Sequence, residues 1–156
     1  MAAYKGPKVT VRRDFECMYI VDKSKSDPDN PIELNAHRYR LEVSVTRYET
    51  ANDPVVVEFS DLQTILGSML PDGYYIYDPK GTGVPTIVGT ILKNANAHCK
   101  EVDFELCAEN ICTWLVIELQ KLLDKYYPSL LRITDAILRE NSQCYVSWHI
   151  GENDEN

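Results

Sequence analysis

The sequence predicts an α+β fold, with helices packed on one face of an antiparallel sheet. Three observations carry the prediction. Alternating strand patterns stand at both ends of the chain. Stretches with apolar residues every three or four positions lie between them. The composition is that of an ordinary globular chain, with 44% hydrophobic and 26% charged residues in a length of 156, so one domain over residues 1–150 can bury a core without disulfide or metal support. The last residues, 151–156, read as a short acidic tail.

The first strand covers residues 8–22, where Val9, Val11, Phe15 and Cys17 share one parity. KSKSDPDNP, with its two prolines, is a loop. The second strand runs from His37 to Tyr48. Tyr39, Leu41, Val43 and Val45 form one face, and Arg38, Arg40, Glu42 and Ser44 the other. That alternation marks a sheet with one wet face. ETANDP turns the chain, and Val55 to Val57 form a short apolar run. Phe59, Leu62, Ile65, Leu66 and Met69 then repeat at helical spacing, with Ser60 or Asp61 suited to the helix start and Pro71 to Gly73 closing it. YYIYD is a short strand and PKGTG a loop. Pro85 to Ala97 reads as a helix with proline in its first turn. KEVDFEL is a further short strand, and His98 and Cys99 before it read as loop residues. Ile111, Leu115, Leu119 and Leu122 mark the longest helix, from Ala108 to Tyr127. LRITDAILRE and QCYVSWHI form a hairpin around Asn141 and Ser142.

Charge and cysteine content narrow the function. A net charge of −8 disfavours non-specific binding to nucleic acid or anionic membranes, which needs clustered Lys and Arg. No apolar run approaches the roughly 18–20 residues of a membrane-spanning helix. The start, MAAYKGPKVTVRR, lacks the apolar core of a signal peptide. The five cysteines are odd in number and form no CxxC pair, which fits free thiols in a reducing, cytoplasmic compartment.

Six segments in chain order point to a family. Asp14-Phe15-Glu16 resembles the opening of an F-x-A-x-H strand. Leu34-Asn35-Ala36-His37-Arg38-Tyr39 resembles L-H-G-H-x-Y. Val55 to Leu62 resembles a G-x-V-x-D-F-x-x-L helix entry. Asp72 to Pro79 stands where L-D-H and an apolar strand would. Leu106-Cys107-Ala108-Glu109-Asn110-Ile111 resembles P-T-x-E-N-L, and Leu138-Arg139-Glu140-Asn141 resembles V-x-E-T. Over residues 8–148 the chain resembles the 6-pyruvoyl-tetrahydropterin and 6-carboxy-tetrahydropterin synthases (QueD-like). The resemblance implies a ββ-α-α-ββ tunnelling fold, with a small insert around residues 79–104. It also implies a homo-oligomeric barrel, a trimer of sheets or a hexamer of two such trimers.

The departures bear on function. The family holds catalytic zinc through three histidines, an arrangement that leaves a coordination position open for substrate. Tyr19 and Asn35 occupy two of those positions and His37 alone matches. The stretch Asn30-Pro31-Ile32-Glu33 lacks the family's general-base cysteine, and Asp72-Gly73 lacks the relay histidine. Metal, base and relay are degraded together. Glu140 survives where the family anchors the guanidine-like edge of a pterin, and a carboxylate suits that edge because it accepts two parallel N–H bonds. Glu109 and Asp72 are further retained acids, and Tyr74 offers an aromatic face to a flat heterocycle.

Each of these residues has a plainer use. Glu140 can be a solvated hairpin acid, Glu109 a partner of its helix dipole, and His37 a sheet-face residue. Cys17 and Cys144 lack an evident base to make a thiolate. Arg38, Arg40 and Arg47 form a basic strip suited to solvent or a subunit contact. The leading expectation is a catalytically degenerate family member, with no catalytic residue and no firmly held zinc. It would bind a pterin-like, purine-like or nucleotide ligand through Glu140, Glu109, Asp72 and Tyr74. One alternative is an active synthase-type lyase whose metal site is rebuilt around His37 with a neighbouring subunit. The other is a structural or protein-interaction module. The charge of −8 makes a neutral heterocycle an easier guest than an anion.

Overall fold

A computed structural model of the chain describes residues 6–47 and 56–151. Nine elements follow in order: β1 (Val9–Asp22), β2 (Ile32–Arg47), α1 (Phe59–Met69), β3 (Tyr74–Tyr77), α2 (Val84–Asn94), β4 (Cys99–Glu101), α3 (Ala108–Tyr126), β5 (Leu131–Arg139) and β6 (Tyr145–His149). The strands are hydrogen bonded in the order β4-β3-β1-β2-β5-β6. ETANDP and the tail beyond Gly151 lie outside the described residues.

The chain forms two compact units. Of the described residues, the first holds 6–14, 40–47, 56–70 and 112–151, and the second holds 15–39 and 71–111. In the first, β2 pairs antiparallel with β5, and β5 with β6. Its core is the inward face the alternation predicts: Leu41, Val43 and Val45 are all but fully buried, as are Leu62 and Leu66 of α1. The helical stripe of α3 continues through Leu119 to Leu123 rather than to Leu122, because four-residue steps keep a side chain on one face. Phe59 departs from expectation. It is 63% exposed, since the helix begins there and Glu58, not Ser60 or Asp61, takes the cap position. Beyond Ser44 the register with β5 shifts and leaves Thr134 as the extra residue on that strand, while Thr46, on the parity opposite Val45, is buried with its hydroxyl donating to the Pro7 carbonyl.

The second unit adds parallel pairs to the antiparallel sheet that the sequence predicts: β3 pairs parallel to β1 and β4 parallel to β3. The physical reason is the connection. A crossover through a helix returns the chain to the same end of the sheet, and α2 is such a crossover between β3 and β4. Tyr75, Tyr77 and Ile20 are buried there, with Val88 and Leu92 of α2 and Cys99 of β4 packed against them. Tyr75 donates its hydroxyl to the Pro85 carbonyl (2.8 Å) and Tyr77 to Glu101 (3.1 Å), so both buried phenols are satisfied. Cys99, expected in a loop, is the first residue of β4.

Candidate ligand-binding site

β1 and β2 run antiparallel, as their cross-strand pairs show. Thr10 bonds Ser44, Arg12 faces Glu42, and Asp14 pairs with Arg40. Further along, Phe15 stacks on Tyr39, and the Lys23 N–H donates to the Pro31 carbonyl. This register sets Cys17 opposite His37 and Tyr19 opposite Asn35. The turn before β3 is tied to β1 by two bonds. The Gly73 N–H donates to the Glu16 carbonyl (2.6 Å), and the Glu16 N–H donates to the Asp72 carboxylate (2.8 Å). Gly73 takes φ +78°, a conformation that glycine adopts without steric cost. Tyr74 is thereby set beside Cys17.

A cavity of about 570 Å³ opens within the second unit, with Glu16, Cys17, His37, Arg38, Tyr74 and His98 in its lining. Burial, and then the nearby charge of Asp72, push the Cys17 thiol up to about 12. At neutral pH it is a thiol and a poor nucleophile. Burial likewise raises Cys99 and Cys107 and takes Cys112 to about 11. Among the described residues every cysteine is free.

Tyr19, Asn35 and His37 stand at the positions that the family resemblance gives to zinc. Tyr19 is 5% exposed, and Asn35 donates its amide to Glu33 (3.3 Å). His37 meets Tyr39 edge-on. Glu33, in the stretch where the family has its cysteine, pairs with Lys23. Among the described residues no group of three or more His, Cys, Asp or Glu is placed to hold a metal ion. A neutral phenol, an amide and one imidazole do not make a zinc donor set, so these residues do not fit the metal.

His37 and Tyr74 line the cavity, and Asp72 lies next to it in the turn. Glu109 is an exposed acid in the first turn of α3, in the same unit. Glu140 belongs to the other unit, half-buried at the hairpin, where its N–H donates to the Cys144 carbonyl. The basic strip disperses. Arg40 pairs with Asp14 (2.8 Å), Arg47 donates to the Val56 carbonyl, and Arg38 alone lines the cavity. Sequence reasoning missed Glu16, whose exposure reads as a wet-face acid, and His98, whose place depends on a strand pairing of three residues.

The 6-pyruvoyl tetrahydropterin synthase family model matches residues 8–149. The chain belongs to that family. Solved structures agree at the level of fold. The 6-pyruvoyl tetrahydropterin synthase of Plasmodium vivax superposes with a TM-score of 0.63 at 15% identity, over 92% of this chain and 97% of that one. The synthase of Caenorhabditis elegans gives 0.57 at 16% identity, over 94% and 98%. An uncharacterised protein from Wolinella succinogenes gives 0.57 at 15%, over 92% and 99%. Comparison with curated protein sequences finds no significant match. Among the described residues no helix is long and apolar enough to cross a membrane.

Proposed function

We propose that this family member binds a flat pterin-like or purine-like heterocycle, or a modified nucleotide, and does not carry out the family's zinc chemistry. The observation that carries this reading is the donor set Tyr19, Asn35 and His37, which stands where three histidines would be needed. The missing cysteine and relay histidine agree with it. The cavity beside His37 and Tyr74 has the size class of a small-molecule site. Its role is sequestration or sensing of a metabolite in a reducing, cytoplasmic compartment. The protein works as a trimer or hexamer of the family type, in which Glu140 grips the amino-oxo edge of the ring.

Calorimetry on the purified protein tests this, using pterin, guanine, guanosine and cyclic nucleotides, each with and without added zinc. Binding of at least one compound without turnover is expected. No binding by any overturns the proposal. Turnover of a dihydropterin substrate with zinc present replaces it with the rebuilt-lyase reading. Glu140→Gln removes a charge-assisted pair of bonds and is expected to weaken binding by about tenfold or more.

A further inference from the structure

The family motifs do not include His98, yet it lines the same cavity as His37 and Tyr74. Its backbone is fixed. Asn96 takes φ 59° and turns the chain at the end of α2. The Ala97 N–H donates to the Leu92 carbonyl, and the His98 carbonyl accepts from the Tyr75 N–H (3.0 Å). Cys99 pairs with Tyr75, so His98 lies beside Tyr74, and neighbours in a parallel pair share a face. The rings confirm it, with centroids 5.0 Å apart and planes 29° apart. Extending the row through Cys17 to His37 gives two imidazoles with a thiol and a phenol between them, across four adjacent chain segments. At a strand spacing of about 4.8 Å the row is roughly 14 Å long, enough to underlie a two-ring heterocycle.

We infer that His98 is a ligand-contacting residue of this cavity. It offers a flat heterocycle an aromatic face backed by Tyr74 and a ring N–H for a ring nitrogen or carbonyl oxygen. The inference rests on the ligand-binding reading above and adds a contact from the segment after α2. His98 is exposed, so its ring is available on the side away from Tyr74. A surface stack that merely braces Tyr74 is the competing explanation, and the test separates the two.

The probes are pterin, followed by its own fluorescence, and guanosine, followed by calorimetry. The chain holds three histidines, so their imidazole proton signals are few. His98→Phe assigns one set by its disappearance, and His149, in the first unit, serves as the reference. Saturating probe is expected to move the His98 ring signals upfield. His98→Ala is expected to raise Kd about tenfold or more, the usual scale for losing a ring that stacks on a base. His98→Phe keeps the stacking share and falls between. If a probe binds but His98→Ala leaves Kd unchanged, this inference fails and the ligand-binding reading stands. It also fails if Kd rises while the His98 signals stay in place, because the ring then acts only through Tyr74. If neither probe binds the unaltered protein, this inference fails, and the ligand-binding reading falls with it only if guanine and the cyclic nucleotides also fail to bind.

Discussion

Asp135, on β5, is the carboxylate whose removal has the most calculable effect. It accepts from Lys8 (2.7 Å), from the Thr134 hydroxyl (2.9 Å) and from His149 Nδ1 (2.7 Å). It thus joins the chain ahead of β1 to β5 and β6. Burial alone would push its carboxyl up, but Lys8, His149 and Thr134 outweigh that and hold it at about 2, against an ordinary 3.8. The folded value is the lower one, so the stabilisation is present above pH 4 and is lost as pH falls toward 2. Its ceiling at neutral pH is ~2 kcal/mol. The side chain keeps 30% of its exposure, and screening by solvent brings the expectation to about 1–2 kcal/mol. Asp135→Asn keeps the shape and removes the charge. Urea unfolding at pH 6 should show the variant less stable by that amount, and at pH 2.5 the gap should shrink to less than half, closing only below about pH 2. Curves that stay separated by the same free energy at both pH values would refute the charge argument and leave a packing defect as the cause.

Other outcomes follow from equally local geometry. A Cβ at Gly89 would overlap the ring of Tyr77, which is 1% exposed and bonded to Glu101. Gly89→Ala should therefore cost about 1–3 kcal/mol in a thermal melt, the scale of an overpacked core. Leu115→Ala, at a fully buried position of α3, should cost about 2–5 kcal/mol in urea unfolding. Iodoacetamide at pH 8 should modify exposed Cys144 before Cys17, whose thiol sits near 12. Equal labelling rates by mass spectrometry would contradict the burial of Cys17. The unaltered chain should retain far less than stoichiometric zinc after dialysis, and Tyr19→His combined with Asn35→His should raise retention, read by elemental analysis.

The legible parts of the fold are those whose information is local. The period of Leu62 and Leu66, and the alternation of Leu41, Val43 and Val45, name elements whose buried faces match. The early start of β2 at Ile32 is harder to read, because Glu33 and Asn35 occupy inward positions with polar side chains. Parallel pairing of β3 and β4 depends on how α2 crosses over, and four- and three-residue strands carry too little alternation to announce it. The same limit hid His98. Its neighbour Tyr74 lies 24 positions earlier in the chain, and only strand pairing brings the rings together. The family motifs led to His37, Asp72 and Tyr74 in one unit, and to Glu140 in the other, because motifs follow chain order and not space.

The β2–β5 ladder has a consequence for how the chain assembles. Glu42 and Arg139 meet across 97 positions of sequence, so a large loop must close before that pairing returns any free energy. The β3–α2–β4 crossover, in contrast, joins Tyr75 to Cys99 within a short stretch. Refolding governed by the long closure belongs in the millisecond-to-second range, roughly where domains rich in distant contacts fold. Until β5 arrives, the paired hairpin of β1 and β2 carries an open edge at Arg40 to Arg47. The alternating charges along its wet face, Arg40 and Glu42 among them, guard that edge against pairing with another copy.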